Sequence, residues 1–100
     1  MGANTSSKPL TKLGAYIKRN RLNANIGQHA LAMHLGYQTP QFISNWERGI
    51  SVPPEASIIP LAKALGVEAN DLAKHVCEAK INKFKTKWYA KYNINEVASA

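Results

Sequence analysis

The residues of this sequence best suited to chemistry lie in one run, from Gln28 to Gly49. The run is typical of two short helices joined by a tight turn, and the second helix is polar with charges that cancel. Amide and hydroxyl side chains on such a helix donate and accept hydrogen bonds at the edges of DNA bases. On a chain of net charge +7, this helical hairpin is typical of a protein that reads the DNA major groove.

The positive charge lies towards the two ends of the chain. Residues 1–25 carry five Lys and Arg without an acid, residues 26–68 sum to −1, and residues 69–100 sum to +3. Basic segments on either side of a nearly neutral hairpin suit an anionic backbone such as that of nucleic acid. A surface charged only for solubility is the alternative interpretation.

Length and cysteine content limit the remaining classes. One hundred residues, 45% of them hydrophobic, are enough for one small core. The single cysteine, Cys77, excludes an intrachain disulfide and favours a reducing compartment. No signal peptide or apolar run of membrane-spanning length is evident. We therefore expect a cytoplasmic protein that is associated with the nucleoid when bound to DNA.

Catalytic and metal chemistry find no support in the residue spacing. His29, His34 and His75 show no ligand spacing with one another or with carboxylates. No glycine-rich phosphate loop and no Ser-His-Asp arrangement stands out. We therefore expect no enzyme activity, no metal and no cofactor.

The chain divides into three segments. Residues 1–8 are small and polar and predict a flexible arm. Residues 9–74 carry the helical hairpin and predict a DNA-binding domain, and residues 75–100 predict a C-terminal helical extension. No Gly or Pro occurs from Val67 to Ala100, so the last helix can run far beyond the domain.

Residues that typically begin or end helices divide the chain into five predicted helices. The first starts between Pro9 and Thr11 and ends by Asn25, because Asn tolerates the left-handed conformation that closes a helix. The second opens at Gly27 and ends at Gly36.

The third helix is predicted over about Pro40 to Arg48, with Thr39 as its N-cap and with Ile43 and Trp46 facing inward. The fourth is predicted over residues 55–65 with its apolar residues at 58, 59, 61 and 65, and the fifth starts near residues 68–70.

The fifth helix carries an apolar stripe beyond the expected core. Cys77, Ile81, Phe84 and Trp88 recur at helical spacing, with five lysines between residues 80 and 91. The stripe needs a partner, for which three alternatives are open: its own domain, a second subunit or a membrane surface. We expect that it forms a symmetric dimer contact.

Dispersed positions agree with one family. The residues that carry the resemblance are Leu13-Gly14, Ile17, Arg21, Ile26-Gly27-Gln28, Leu31-Ala32, Leu35-Gly36, Ile43 to Gly49, and Leu61 to Val67. Over about residues 10–74 the chain resembles the lambda repressor-like helix-turn-helix family, of the Cro/C1 or XRE type. The resemblance implies an all-α, five-helix bundle whose third helix lies in the DNA major groove.

The resemblance also implies roles for individual residues. Gln28 matches the residue that opens helix 2 and contacts a phosphate, and Arg21 with Glu47 matches an ion pair that ties helix 1 to helix 3. Phe42 is open between a thymine methyl contact and a core position. The positions of the helix that read bases are occupied here by Thr39, Pro40, Gln41, Ser44 and Asn45.

Two features depart from the family pattern. The stretch from Gly36 to Gly49 is one residue longer than is usual, and the loop after Gly49 lacks the basic residues that many relatives place on phosphates. Further phosphate contacts are therefore expected from Lys8, Lys12, Arg19 and Arg48.

These observations predict a sequence-specific, double-stranded DNA-binding transcription regulator, with repression the favoured mode. A homodimer on a palindromic site is expected, because one short helix reads only a few base pairs. The alternative is an antitoxin-like or co-regulator module that binds a protein partner through the C-terminal helix. A purely structural bundle is the third reading, but a packing helix would not group Gln41, Ser44 and Asn45 on one side.

Overall fold

The structure, a computed structural model, describes residues 11–95. Its five α-helices are α1 (Thr11–Asn23), α2 (Gln28–His34), α3 (Gln41–Glu47), α4 (Ile58–Leu65) and α5 (Ala69–Lys91). The described part of the chain contains no strand, and the predicted all-α, five-helix fold is confirmed. The predicted arm, residues 1–8, lies outside the described residues.

One apolar core holds the helices together, with α1 in contact with α3, α4 and α5. Ile43 and Trp46 are 0% and 1% exposed, so the inward face predicted for α3 is confirmed. The side chains that share this core come from all five helices: Leu13, Tyr16, Ile17, Leu31, Ala32, Ile43, Trp46, Leu61, Ala62, Leu65, Leu72, Val76 and Ala79.

The residues predicted to end helices do so. Asn25 adopts a left-handed backbone with φ 60°, two residues after the end of α1. Before α3, the hydroxyl oxygen of Thr39 accepts a hydrogen bond from the backbone N–H of Gln41 at 3.3 Å. The helix nevertheless begins at Gln41, one residue later than predicted, with Pro40 and not Thr39 at its N-cap position. Residues that can be identified in the sequence therefore form the turn after α1 and the turn before α3.

The fourth helix begins later than predicted. Residues Glu55–Ser57 form a 3-10 turn, and the α-helix starts only at Ile58. The reason is Pro60, whose ring would clash with the carbonyl of residue 56 and which lacks an N–H, so that it fits only the first turn of an α-helix. The shift also alters the apolar face, because Ile59 is 65% exposed while Leu61 is buried.

A glycine allows α1 to approach α3 closely. A Cβ atom at Gly14 would overlap the carbonyl oxygen of Glu47 and lie 2.8 Å from that of Trp46. Both oxygens belong to the end of α3, so any side chain at residue 14 pushes the two helices apart. Gly14 therefore sets the position of α3 against α1.

Replacing Gly14 with Ala should lower the free energy of unfolding by about 1–3 kcal/mol, because overpacking forces backbone shifts. The matched control is Gly27→Ala, since a Cβ at Gly27 meets nothing within 4 Å. Urea denaturation followed by circular dichroism measures both variants. Equal losses for the two would contradict the close approach of α1 to α3.

A polar cluster joins α1 to α5. The Tyr16 hydroxyl donates to Asp71 Oδ2 at 2.6 Å, and the Tyr16 ring stacks on His75 with centroids 3.8 Å apart. A ring nitrogen of His75 in turn donates to the Asp71 carbonyl at 2.9 Å. Burial and the hydrogen bond to Asp71 raise the pKa of Tyr16 to about 12, so its phenol stays protonated and keeps donating at neutral pH.

The first half of the long helix α5 packs in the core, and its second half is exposed to solvent. Leu72, Val76 and Ala79 are buried, so the core reaches five residues past the predicted boundary at residue 74. After Ala79 no described residue of α5 is buried. The helix thus continues for 12 residues, 80–91, without a buried side chain.

The predicted apolar stripe is exposed along this extension. Ile81, Phe84 and Trp88 are 57%, 61% and 45% exposed. The rings of Phe84 and Trp88 lie 5.5 Å apart by their centroids, and those of Trp88 and Tyr92 5.0 Å apart. The alternative in which the stripe packs on its own domain is therefore wrong for the described residues. No helix among them is long and apolar enough to cross a membrane.

Candidate nucleic-acid interface

The exposed side of α3 carries neutral hydrogen-bonding groups. Gln41 is exposed, and Ser44 and Asn45 are half-buried. The Gln41 side-chain amide donates to Asn45 Oδ1 at 3.0 Å, so the two amides, four residues apart, hold each other in place. This face presents both donors and acceptors to an approaching partner.

The turn before α3 adds two of the predicted base-reading residues. Thr39 is exposed and Pro40 is half-buried, both immediately before the helix. The structure therefore brings the five residues predicted to read bases onto one continuous surface, the turn and exposed face of α3. This surface is called the α3 face below and consists of Thr39, Pro40, Gln41, Ser44 and Asn45.

Aromatic packing supports the start of α3. Phe42, left open between core and base contact, is 49% exposed and stacks on Tyr37 with centroids 4.6 Å apart. Tyr37 also makes an edge contact with the buried Trp46 at 6.0 Å, and its hydroxyl lies 3.3 Å from that of Ser57. Phe42 is therefore a surface residue whose one face is held by the turn and whose other side is free to meet a partner.

A nearly buried ion pair joins α1 to α3. Arg21 Nε lies 2.6 Å from Glu47 Oε2, and the two side chains are 9% and 4% exposed. Arg21 Nη2 also donates to Glu47 Oε1 at 3.1 Å, so the pairing uses both carboxylate oxygens. Arg21 Nη1 donates to the carbonyl of Ile26 at 3.0 Å and ties down the turn after α1.

Gln28 extends this network to α2. Its side-chain amide donates to Glu47 Oε1 at 3.0 Å, which leaves the second hydrogen of the same amide without a bond in the described structure. Helices α1, α2 and α3 therefore meet at one carboxylate. The predicted phosphate contact of Gln28 stays a prediction.

The predicted cations lie in different places. Arg48 follows α3 directly and is exposed. Lys12 lines a cavity with His75, Glu78 and other residues of α5. Arg19 lies over the Tyr16 ring at 5.9 Å, on the side of α1 that contacts α5. The structure thus brings Arg48 next to the α3 face and does not bring Lys12 or Arg19 there, while Lys8 lies outside the described residues.

Lys18 is a candidate that the sequence reasoning missed. It is exposed and follows Gly14 by four residues, and Gly14 is the point where α1 touches α3. Residues four apart lie on one side of a helix. The i, i+4 spacing from Gly14 was the available signal, but it needed the knowledge that Gly14 faces α3.

In the part of the chain that the structure describes, no metal-binding cluster accompanies this surface. Across residues 11–95 there is no group of three or more His, Cys, Asp or Glu placed to hold a metal ion. The α3 face carries no charged side chain of its own, and its chemistry is hydrogen bonding.

The comparisons with known proteins agree with this geometry. A family model described as a helix-turn-helix domain matches residues 12–75. The structure is similar to that of the clp gene regulator ClgR from Corynebacterium glutamicum, with a TM-score of 0.58 and 19% sequence identity over 84% of this chain and 88% of that chain. At this identity the likeness is one of fold. Comparison with curated protein sequences gives no significant match.

The matched span takes in α1 to α4 and the start of α5, which is more than half of the chain. It includes the ion pair, the hairpin and the α3 face. This chain belongs to the helix-turn-helix domain family, as its resemblance to lambda repressor-like helix-turn-helix proteins predicted.

Proposed function

We propose that this protein is a transcription regulator that binds double-stranded DNA sequence-specifically, with α3 in the major groove. The observation that carries the proposal is the α3 face, a neutral hydrogen-bonding surface on a helix fixed by the Arg21–Glu47 pair. An α-helix with its side chains is about 10–12 Å across, which suits a groove about 12 Å wide. The gene regulator of the same fold supports the same role.

Base recognition follows from the amides of the α3 face. A Gln or Asn side chain pairs with the N6 and N7 edge of adenine through one donor and one acceptor. In the free protein Gln41 and Asn45 bond each other at 3.0 Å. That bond holds both amides in position and exchanges for bonds to bases when DNA arrives. Phe42, half exposed beside them, offers an apolar contact for a thymine methyl group.

Replacing Asn45 with Ala should weaken binding to the preferred site by about 1–3 kcal/mol and relax specificity at one base position. The matched control is Asn82→Ala, an exposed amide on α5 away from the α3 face. Fluorescence anisotropy with the preferred duplex and its single-base variants measures both. An Asn45→Ala protein that keeps wild-type affinity and specificity would remove this residue from base recognition.

Phosphate contacts supply the sequence-independent part of the affinity. Arg48 and Gln28 are proposed for the surface next to α3, and Lys8, Lys12 and Arg19 for the basic N-terminal part. The positions of Lys12 and Arg19 beside α5 require that the DNA backbone pass along that side of α1. Geometry therefore supports Arg48 more strongly than these two.

Removing the charge of Arg48 with Ala should weaken binding to all duplexes alike and lower the slope of log affinity against log salt by about 1. The same change at Lys12 or Arg19 gives the same result only if the backbone reaches the α5 side. Lys63→Ala, an exposed charge on α4, controls for net charge. An Arg48→Ala slope equal to that of Lys63→Ala would exclude a phosphate contact at Arg48.

Dimerisation completes the proposal. The exposed stripe of Cys77, Ile81, Phe84 and Trp88 is proposed as the contact between two copies, which places two α3 helices on a palindromic site. Half-sites one helical turn apart, about 34–36 Å, are the usual spacing. Repression by occupying a promoter, a location in the cytoplasm and the absence of enzyme activity, metal and cofactor belong to the same proposal.

A second candidate function rests on the same stripe. The three exposed apolar side chains of the stripe could equally bind a protein other than a second copy of this chain. Such binding is typical of an antitoxin-like or co-regulator module. This candidate is compatible with DNA binding. The mass of the DNA complex formed by the purified chain distinguishes the two, since a homodimer needs no second protein.

A further inference from the structure

The exposed face of α5 changes in size along its length. Its first half presents small side chains, Ala73 and Cys77, and its second half presents the rings of Phe84 and Trp88. Beside the small residues lies an open groove of about 310 Å³ between α5 and the segment before α4. The side chains lining this groove are those of Pro53, Glu55, Ile58, Ala73, Val76, Cys77, Lys80 and Ile81.

Charge changes along the same helix in a parallel way. Residues 68–79 carry three acids against Lys74 and sum to −2, whereas residues 80–95 carry five lysines and no acid and sum to +5. The groove beside the first half adds the exposed carboxylate of Glu55. Asp71 bonds Tyr16 and Glu78 lines the cavity beside Lys12, so these acids lie off the stripe, and the groove itself carries Glu55 and Lys80. One end of the stripe is therefore small and grooved, without excess charge, and the other end is large, aromatic and basic.

This asymmetry affects the relative orientation in which two α5 helices can pair. Two parallel α5 helices would place lysines against lysines and rings against rings, and like charges at close range are destabilising. Two antiparallel helices would place the basic, aromatic half of each against the small, grooved half of the other, which carries Glu55 and has no excess of lysines. A two-fold axis produces that arrangement twice with one set of residues.

We infer that α5 pairs antiparallel with α5 of a second copy, and that Trp88 of each copy enters the groove beside Ala73 of the other. The inference rests on the proposed dimeric DNA-binding function and specifies its contact. Pairing Trp88 with Ala73 and Phe84 with Cys77 gives the same midpoint, between Lys80 and Ile81, so both large-to-small pairs fit one register.

The register has a further electrostatic consequence. Lys87 and Lys91, which flank Trp88 on its helix, approach Glu55 at the groove of the other copy. The face needed for this contact is open, because Ile81, Phe84 and Trp88 are between 45% and 61% exposed in the single chain. Charge and size thus select the same partner and the same orientation.

Disulfide cross-linking of the full chain tests the orientation. In the antiparallel register the two native Cys77 residues are separated by seven residues, about 10 Å along the helices, which exceeds the roughly 7 Å that a disulfide can span. Phe84→Cys places a second thiol opposite Cys77 of the other copy. Oxidation should therefore link most of the Phe84→Cys protein as dimers, and should link neither the wild type nor Cys77→Ser/Phe84→Cys.

Peptide mass mapping of the linked product identifies the joined positions. A bond between residue 77 of one copy and residue 84 of the other is expected. Bonds joining residue 77 to 77 or residue 84 to 84 would show a parallel pair and overturn the inference. No linkage, with a wild type that scatters light as a monomer, would overturn it as well.

Charge reversal gives a second measurement that does not remove the Phe84 ring. Glu55→Lys should raise the dimer dissociation constant about tenfold, because each dimer contains the contact twice. Glu78→Lys makes the same change of charge on α5 outside the groove and should have less than about a third of that effect. Equal effects for the two variants would contradict the placement of the lysines at Glu55.

Two further arms separate the other outcomes. A monomeric wild type that binds phosphatidylserine vesicles would assign the stripe to lipid and overturn the inference. A dimer linked through residues 77 and 84 that binds selected and random duplexes equally would support the inference and contradict the proposed function. A monomer that binds one DNA sequence specifically would support the proposed DNA binding and overturn the inference.

Discussion

Replacing Arg21 with Met should lower the free energy of unfolding by about 3–5 kcal/mol, the cost of leaving a buried charge without its partner. The Glu47 side chain is 4% exposed and would keep only the hydrogen bond from the Gln28 amide. The bond from Arg21 to the Ile26 carbonyl is lost at the same time, so the turn between α1 and α2 is also loosened. Denaturation by urea, followed by circular dichroism, measures the loss.

The matched control is Arg19→Met, an exposed arginine two residues earlier on the same helix. That change should alter stability by no more than about 0.5 kcal/mol. The double variant Arg21→Met/Glu47→Leu should recover a large part of the loss, because no unpaired charge is then buried. A loss below about 1 kcal/mol for Arg21→Met, typical of an exposed pair, would contradict the role of this pair in fixing α3.

The second large effect concerns the stripe. Replacing Phe84 and Trp88 together with Ala should reduce affinity for a palindromic duplex by about a hundredfold to ten-thousandfold, because two linked half-site contacts become independent. Both side chains are about half exposed or more, so their loss should leave the bundle folded. Light scattering and anisotropy on the same samples measure assembly and DNA affinity.

Ile59 and Leu22 provide the control for this pair of substitutions. They are 65% and 56% exposed and lie on α4 and α1, away from the stripe. Ile59→Ala/Leu22→Ala should keep both the dimer and the DNA affinity. A wild type that is monomeric both free and on DNA would contradict the prediction, as would a Phe84→Ala/Trp88→Ala protein that unfolds instead of dissociating.

Local chemistry made much of the hairpin predictable from sequence. Asn25 and Thr39 act on the backbone within two or three residues of themselves, so their effects do not depend on the rest of the fold. The inward positions of Ile43 and Trp46 follow from helical periodicity in the same way. The late start of α4 also has a local cause, because Pro60 disfavours an α-helix that begins at Glu55.

The arrangement of helices about α1 was not predictable by these means. Placing Lys12 and Arg19 requires knowledge of which side of α1 meets α5, and that is set by contacts such as Tyr16 with Asp71, 55 residues apart. The close approach at Gly14 is of the same kind, since a glycine in a helix does not reveal which neighbour it touches. Cations near a helix end therefore indicate nucleic acid without showing where its backbone lies.

Sequence-specific DNA binding is the central claim, and one measurement tests it most directly. Duplexes selected by the protein from random DNA are compared with scrambled duplexes of equal length in a titration at one fixed physiological salt concentration, since salt controls the non-specific term. The account predicts that the selected palindrome binds at least about a thousandfold more tightly. Equal affinity for selected and scrambled duplexes would contradict it.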